Sequence, residues 1–397
     1  MTFTVDTVVY EELPLRPKDA FRFAVISDVH LGHRRTATRY IIDNLNRYVT
    51  RASFMAQLDC LFISGDLFDD IVTLASRDSE LIFDWMDRLL KLAVSTKTAI
   101  RVLEGTPSHD WEQPRHLHEK NQQREIKADL QYIDDLSIVD DKSLGMVIGY
   151  VPDECREHCD QITHEWRELM ATHGYDQVDL LIMHGMFGFQ IPKAAAKSVS
   201  TFNEDEWSQW SRYGIYIGHD HRFKHHYNIV VPSSFERLAH GEEERKGFLV
   251  VDIVANHVHN YHVENIHAMK YITVNGEGLD DVTLINNVEA QLARFGELGD
   301  EFTVGRLRVQ YSAEYDIGAV LKEWRAQYPT IVIESERISD GKHLTMGADE
   351  SFHLKGETIN ITAENIEGII LRELGDEVPS DMSALLNEIQ YIQDMVA

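Results

Sequence analysis

The chain has 397 residues, 43% hydrophobic and 26% charged, an ordinary composition for a folded globular protein of two or three domains. Its net charge of −28 argues against a uniformly basic nucleic-acid binder, and its three cysteines, Cys60, Cys155 and Cys159, are too sparse and odd in number for a disulfide framework. No run approaches the roughly 18 apolar residues of a membrane span, and Met1 to Asp6 is not a basic region leading into an apolar stretch, so a reducing cytoplasm is the expected location.

From about residue 21, short apolar β-rich runs alternate with amphipathic segments, the pattern of an α/β architecture. The runs predict strands at Phe23 to Ser27, Cys60 to Ser64, Ala99 to Leu103, Met146 to Tyr150, Leu180 to Met183 and Ile215 to Ile217. Helices are expected at Thr36 to Met55, Ser79 to Leu92 and near Glu154 to Thr172. After His221 the chain turns β-rich, with strands at His226 to Val231, Gly247 to Val254 and His257 to Val263. His257, His259 and His262 in the last of these suggest residues lining the wet face of an antiparallel strand rather than a second metal site.

From Met269 a fresh α/β pattern begins: strand Tyr271 to Val274, helix Asn286 to Phe295, strand Thr303 to Tyr311, helix Ile317 to Gln327 and strand Thr330 to Glu334. Residues 361 to 397 suggest two helices separated by Gly375 and Pro379, the second with Met382, Leu385, Leu386, Ile389, Ile392 and Val396 on one stripe. The expected domains are therefore 1–265, 266–360 and 361–397.

Chemistry concentrates in five short blocks, each following an apolar run: Asp28-Val-His30, Gly65-Asp66, Ser108-His109-Asp110, His184-Gly185 and Gly218-His219-Asp220-His221. A mixed oxygen and nitrogen set of this size exceeds the needs of one tetrahedral zinc and suits two Mn, Fe or Zn ions sharing a bridging carboxylate. Two such ions about 3.5 to 4 Å apart are the usual device for attacking a phosphate ester. Alternation at a strand end would put Asp28 and His30 on one side. Asp66 has two carboxylate oxygens with which to bridge. A Ser108-His109-Asp110 triad is excluded, because consecutive residues do not present side chains in triad geometry.

This order of blocks resembles the calcineurin-like metallophosphoesterases, over residues 28 to 221. The resemblance implies a β-sandwich flanked by helices, with Asp28, His30, Asp66 and His221 on one divalent ion and Asp66, Ser108, His184 and His219 on a second. It also implies that His109 protonates the leaving 3′ oxygen, with Asp110 orienting its ring. The third block departs from the family, which reads Gly-Asn-His-Asp where this chain has Gly105-Thr-Pro-Ser108-His109-Asp110. A serine hydroxyl is a poorer ligand than an amide oxygen, so weaker binding of the second ion is expected.

Beyond the blocks, Val231-Pro-Ser-Ser-Phe-Glu-Arg237 and Lys246-Gly-Phe-Leu-Val-Val-Asp252 resemble the SbcD-type DNA repair exonucleases, with Ser233 where that family has glycine. This implies a Mn2+-dependent 3′-5′ exonuclease and endonuclease, a small α/β capping domain over 266–360, homodimerisation, and a helical C-terminal tail that docks on an SMC-like ATPase of the SbcC type. Arg34, Arg35 and Arg39 are the expected DNA-phosphate contacts; Lys193, Lys197, Arg222 and Lys224 also follow metal blocks in stretches without acids. Two other readings compete: a stand-alone metallophosphatase or cyclic-nucleotide phosphodiesterase, and a DNA-end-binding scaffold with an impaired second metal site.

Overall fold

The computed structural model describes residues 2–73, 75–153, 158–191, 199–296, 305–312, 317–338, 353–354 and 357–358. The first strands are β1 (Thr2–Val9), β2 (Phe21–Ile26), β3 (Cys60–Ser64), β4 (Ala99–Leu103), β5 (Leu130–Ile133) and β6 (Ser137–Asp141). They are followed by β7 (Met146–Val151), β8 (Val178–His184), β9 (Ser211–Gly218), β10 (Lys224–His226), β11 (Ile229–Val231), β12 (Gly247–Val254) and β13 (His257–Glu264). Last come β14 (Lys270–Asn275), β15 (Gly305–Ser312) and β16 (Ile331–Ile338). The helices that matter for packing are α1 (Thr38–Tyr48), α2 (Arg77–Thr96) and α3 (Cys159–His173).

These strands make a mixed α/β architecture: a seven-stranded sheet in the order β1-β13-β12-β2-β3-β4-β5, a six-stranded sheet in the order β10-β11-β9-β8-β7-β6, and a three-stranded sheet β14-β15-β16. Alternation along the strands sorts the core into layers. Phe23, Val25, Phe62 and Val251 of the first sheet share a fully buried cluster with Ile148, Tyr150, Leu180, Ile182 and Tyr216 of the second. On its other face the first sheet turns Ala24, Ile26, Leu61 and Ile63 toward Ile41 and Leu45 of α1 and Trp85, Met86 and Leu89 of α2. The second sheet turns Leu181, Met183, Ile215 and Ile217 toward Trp166 and Met170 of α3. Strands buried on both faces are mostly apolar, which is why β3, β4 and β12 have the predicted bounds; the charges inside them, Arg101 and Asp252, are paired with Asp141 and Arg22.

Three local differences have physical causes. The helix expected over Thr36 to Met55 is two pieces, α1 and a turn at Ala52–Met55. Thr36 is held outside by donating its hydroxyl to Arg237 O at 2.8 Å, and Thr50 Oγ1 donates to Leu45 O at 3.2 Å, closing the C-terminal end of α1. The strand expected over His226 to Val231 is the tight pair β10 and β11, turning at Tyr227 with φ 52°. The strands β1, β5 and β6 were not predicted: β1 pairs only with β13, and the others are four or five residues long and rich in polar side chains. His257 and His259 do lie toward solvent, but His262 is buried and stacks on Phe223 at 4.1 Å.

The chain divides into two compact units, Met1–Gln310 with Asp316–Glu336, and Tyr311–Tyr315 with Arg337–Ala397. Within the first, the three-stranded module is tied to the loop after β2: Thr36 Oγ1 lies 2.8 Å from Tyr271 Oη, and Arg306 Nε donates to Arg35 O at 3.2 Å. A fully buried Glu236 accepts from Asn44 Nδ2, from Asn265 Nδ2 and from Met269 N at 2.9 Å, and burial pushes its carboxyl up to about 7. In the second unit His353–Leu354 and Glu357–Thr358 pair antiparallel. The helices expected over 361–397, together with Cys155, Lys193 and Lys197, lie outside the described residues. No helix among the described residues is long and apolar enough to cross a membrane.

Candidate metal centre

All five blocks meet at the C-terminal ends of parallel strands. In the first sheet β2, β3 and β4 run parallel side by side, and in the second so do β7, β8 and β9. The two sheet ends are tied across the core: Ser64 Oγ donates to Met183 O at 2.6 Å, and His219 N donates to the Asp28 carboxylate at 3.0 Å.

Asp28 and His30 do not come together by strand alternation. β2 ends at Ile26, and Asp28, His30 and Asp66 take left-handed φ values of 51°, 54° and 50°, while His219 has φ 97°. Non-glycine residues pay about 1–3 kcal/mol each for such conformations, which persist where the surrounding structure imposes them. Gly65 is required beside them: at φ 82°, a Cβ there would lie 2.2 Å from His184 Nδ1. The close turns aim side chains from separate loops into one volume.

Two groups of ligand-type atoms carry the predicted residues, Asp28 with His30 and His221, and Asp66 with His184 and His219; a third, His30 with Asp69 and His109, shares His30 with the first. In the first, His30 Nε2 and His221 Nε2 face one another at 3.2 Å, and His221 Nε2 lies 3.8 Å from Asp28 Oδ1. Asp66 connects the groups with different oxygens, Oδ2 at 3.9 Å from His30 Nε2 and Oδ1 at 3.3 Å from His184 Nε2. That is the disposition a bridging carboxylate needs.

The outer nitrogens of the imidazoles fit them for metal. His184 Nδ1 donates to Ser64 O at 2.8 Å, His221 Nδ1 to Glu242 Oε1 at 2.9 Å, and His30 Nδ1 lies 3.1 Å from Asp69 Oδ1. The first two contacts put a proton on Nδ1 and turn Nε2 to the centre, the usual support for a ligating histidine, while His30 Nδ1 faces the Asp69 carboxylate without a hydrogen bond. Lys246, itself buried, anchors Glu242 at 3.1 Å and donates to His221 O at 2.8 Å. Burial would raise the Glu242 carboxyl, but the His221 hydrogen bond and the Lys246 charge bring it down to about 2.

The field at the centre is strongly negative. Burial works against charge on His184, yet Asp66 and then Asp28 hold its imidazole well above the usual histidine range. Burial likewise opposes charge on Asp66, and the His184, His30 and His109 rings hold it well below the usual carboxylate range. The carboxylate charge that keeps a second proton on this buried imidazole without metal would equally favour a divalent cation in that proton's place.

His109 stands beside the first group, its ring edge-on to His30 at a centroid distance of 4.9 Å. Its Nδ1 donates to Asp69 O at 2.7 Å, which leaves Nε2 as the nitrogen able to transfer a proton. The expected orienting role of Asp110 is not what the structure has. The Asp110 carboxylate instead accepts Phe68 N at 2.9 Å and Gly105 N at 2.7 Å, joining the loops after β3 and β4. Burial and the nearby Asp66 and Glu104 push it well above the usual carboxylate range.

Ser108 also needs correcting. It is exposed on the short turn Pro107–Asp110, and its carbonyl accepts Trp111 Nε1 at 2.7 Å. Thr106 is the hydroxyl residue inside: Oγ1 lies 3.3 Å from Asp66 Oδ2, 3.4 Å from His184 Nε2 and 3.3 Å from both His219 Nδ1 and Asp153 Oδ2. Sequence reasoning missed Thr106, Asp69, Asp153 and Glu242. The available signals were the position of Thr106 directly after Gly105, Asp69 three residues beyond Asp66, and Asp153 ending an apolar run as Asp66 does.

The candidate phosphate contacts are dispersed. Arg34 is exposed and 3.2 Å from Asp70, Arg39 begins α1 with Asp43 at 4.0 Å, and Arg35 is half-buried against the three-stranded module. Arg222 and Lys224 are not unopposed cations, since both pair with Asp220, at 2.9 and 2.8 Å. The chain matches no protein-family model and no curated protein.

Proposed function

We propose that the protein is a dinuclear-metal phosphodiesterase that cleaves DNA, a nuclease of the SbcD type within the calcineurin-like metallophosphoesterases. The observation that carries the reaction class is Asp66, which turns one oxygen to His30 and the other to His184 while His109 stands beside the first group. Asp28, His30, Asp66 and His221 would hold one divalent ion, and Asp66, His184 and His219 the other. Bound there, Mn2+ ions would supply a water nucleophile at neutral pH and positive charge for the phosphoryl oxygens.

The chain's own residues account for the remaining requirements. Asp69 holds His109 through its carbonyl and lies against His30 through its carboxylate, so the proton donor is placed beside a residue that would hold the first ion. His109 Nε2 then hands its proton to the departing 3′ oxygen. Trp111, 53% exposed on the same turn, offers an aromatic face to a base displaced from the duplex.

Support for the DNA-directed branch comes from the segment after the last block. Ser233, standing where the SbcD-type sequences carry glycine, has φ 77°, a conformation that favours glycine. Lys246 of the Lys-Gly-Phe run supports His221 rather than solvent. The same reading assigns DNA phosphates to Arg34, Arg35 and Arg39, and an SMC-like ATPase partner to residues 361–397.

The test compares a 5′-labelled duplex with a small chromogenic diester, both in Mn2+. Processive shortening of the duplex is expected, at a rate far above that of the diester. Rapid hydrolysis of the diester with an intact duplex would sink the nuclease reading in favour of a small-molecule phosphodiesterase.

A further inference from the structure

The second ligand group lacks the family's amide oxygen, and the residue expected to replace it, Ser108, is exposed. What occupies the volume is a hydroxyl and a carboxylate. Asp153 follows β7, whose Val151 is in register with Met183 of β8, so Asp153 and His184 leave adjacent parallel strands at the same end of the sheet. Asp153 Oδ2 lies 3.3 Å from Thr106 Oγ1 and 3.9 Å from His219 Nδ1. Thr106 is itself pinned by its backbone N–H, which donates to Asp66 Oδ1 at 2.6 Å.

We propose that Asp153 is a direct ligand of the second ion, supplying an anionic oxygen in place of the family's amide, with Thr106 as the hydroxyl that positions it. This rests on the dinuclear reading above and names a residue that the family pattern does not include. Thr106 Oγ1 is within 3.4 Å of Asp66, His184, His219 and Asp153, so the four side chains stand around one hydroxyl, Asp153 joining the Asp66, His184 and His219 group from the His219 side. A single hydroxyl proton satisfies only one acceptor at a time, and Asp153 and Asp66 are both anionic oxygens that a cation serves better than one proton does.

The consequence is a matched pair of sites. The first ion has Asp28, Asp66, His30 and His221; the second has Asp66, Asp153, His184 and His219. Each set contains two carboxylates and two imidazoles, a hard donor set suited to Mn2+. The second ion is therefore bound more tightly than a serine hydroxyl would allow, and the scaffold reading loses the weak site on which it depended.

The experiment is calorimetric titration of the metal-free full-length protein with Mn2+, for wild type, Asp153→Asn and Asp153→Ala, with circular dichroism of each metal-free protein as the fold control. Wild type should bind two ions. Asp153→Ala should weaken one of them by at least ~10-fold and leave the other unchanged, a loss at the low end of those seen for groups supporting metal sites. Asp153→Asn, which keeps the shape and still accepts from Thr106, should fall between them; a purely structural partner of Thr106 would leave Asp153→Asn equal to wild type. Two ions bound with unaltered affinity in Asp153→Ala would overturn the assignment and leave the dinuclear reading standing. Fewer than two ions in wild type would overturn both.

Discussion

Replacing Asp66 by asparagine should abolish metal-dependent hydrolysis and reduce Mn2+ binding at both positions, not at one. Asp66 is almost fully buried and is the side chain that approaches both ligand groups, with Oδ2 toward His30 and Oδ1 toward His184. Asparagine preserves the volume and can still accept the Thr106 N–H, but it removes the negative charge that both ions would share. Loss of a metal-bridging charge removes the catalytic ions themselves, so the rate should fall to background rather than by a modest factor. Titration with Mn2+ checks this. Loss of one ion with the second retained at wild-type affinity would show that Asp66 serves a single site.

His109→Ala should have the second-largest effect and the opposite binding signature. General acid catalysis by a positioned imidazole contributes about 10²–10⁴-fold, so the turnover rate on DNA should drop by that order. Metal stoichiometry should remain at two, because neither the Asp28, His30 and His221 group nor the Asp66, His184 and His219 group includes His109, which is grouped only with His30 and Asp69. The side chain is half-exposed, so truncation leaves no large cavity and the fold should tolerate it. A substrate with a good leaving group, which needs no proton, should be cleaved by the variant at close to the wild-type rate. Loss of an ion in His109→Ala would instead make this residue a ligand.

Much of the architecture was legible because its strongest elements are buried on both sides. The strands Cys60–Ser64, Ala99–Leu103 and Gly247–Val254 are mostly apolar, with single buried charges at Arg101 and Asp252, so their bounds and the positions of Asp66 and His109 after the first two could be read directly. The edge strand Thr2–Val9 has only intermediate and exposed positions, and its alternation is too weak to separate from a loop. Which residues come together was easier to infer than how they do so. Asp28 and His30 were expected to share a side through strand pleating, whereas left-handed turns bring them together, and nothing in the residue types specifies that φ.

The third block misled for a related reason. Ser108 directly precedes His109, as the family's asparagine does, and adjacency favoured it over Thr106. Pro107 starts a short helical turn, with Trp111 left-handed after it, and this turn takes up the two extra residues and leaves Thr106, next to Gly105, facing the centre. Asp69, Glu242 and Lys246 are charged residues in ordinary-looking contexts; only three-dimensional proximity reveals that they support His30, His109 and His221.

The claim beneath all of this is a pair of ions coupled through one carboxylate. Electron paramagnetic resonance of the wild-type protein loaded with Mn2+ tests it most directly. Two equivalents per chain giving the spectrum of an exchange-coupled Mn2+ pair is the predicted result; a six-line spectrum of isolated Mn2+ at saturation, whether from one ion or two, would contradict it.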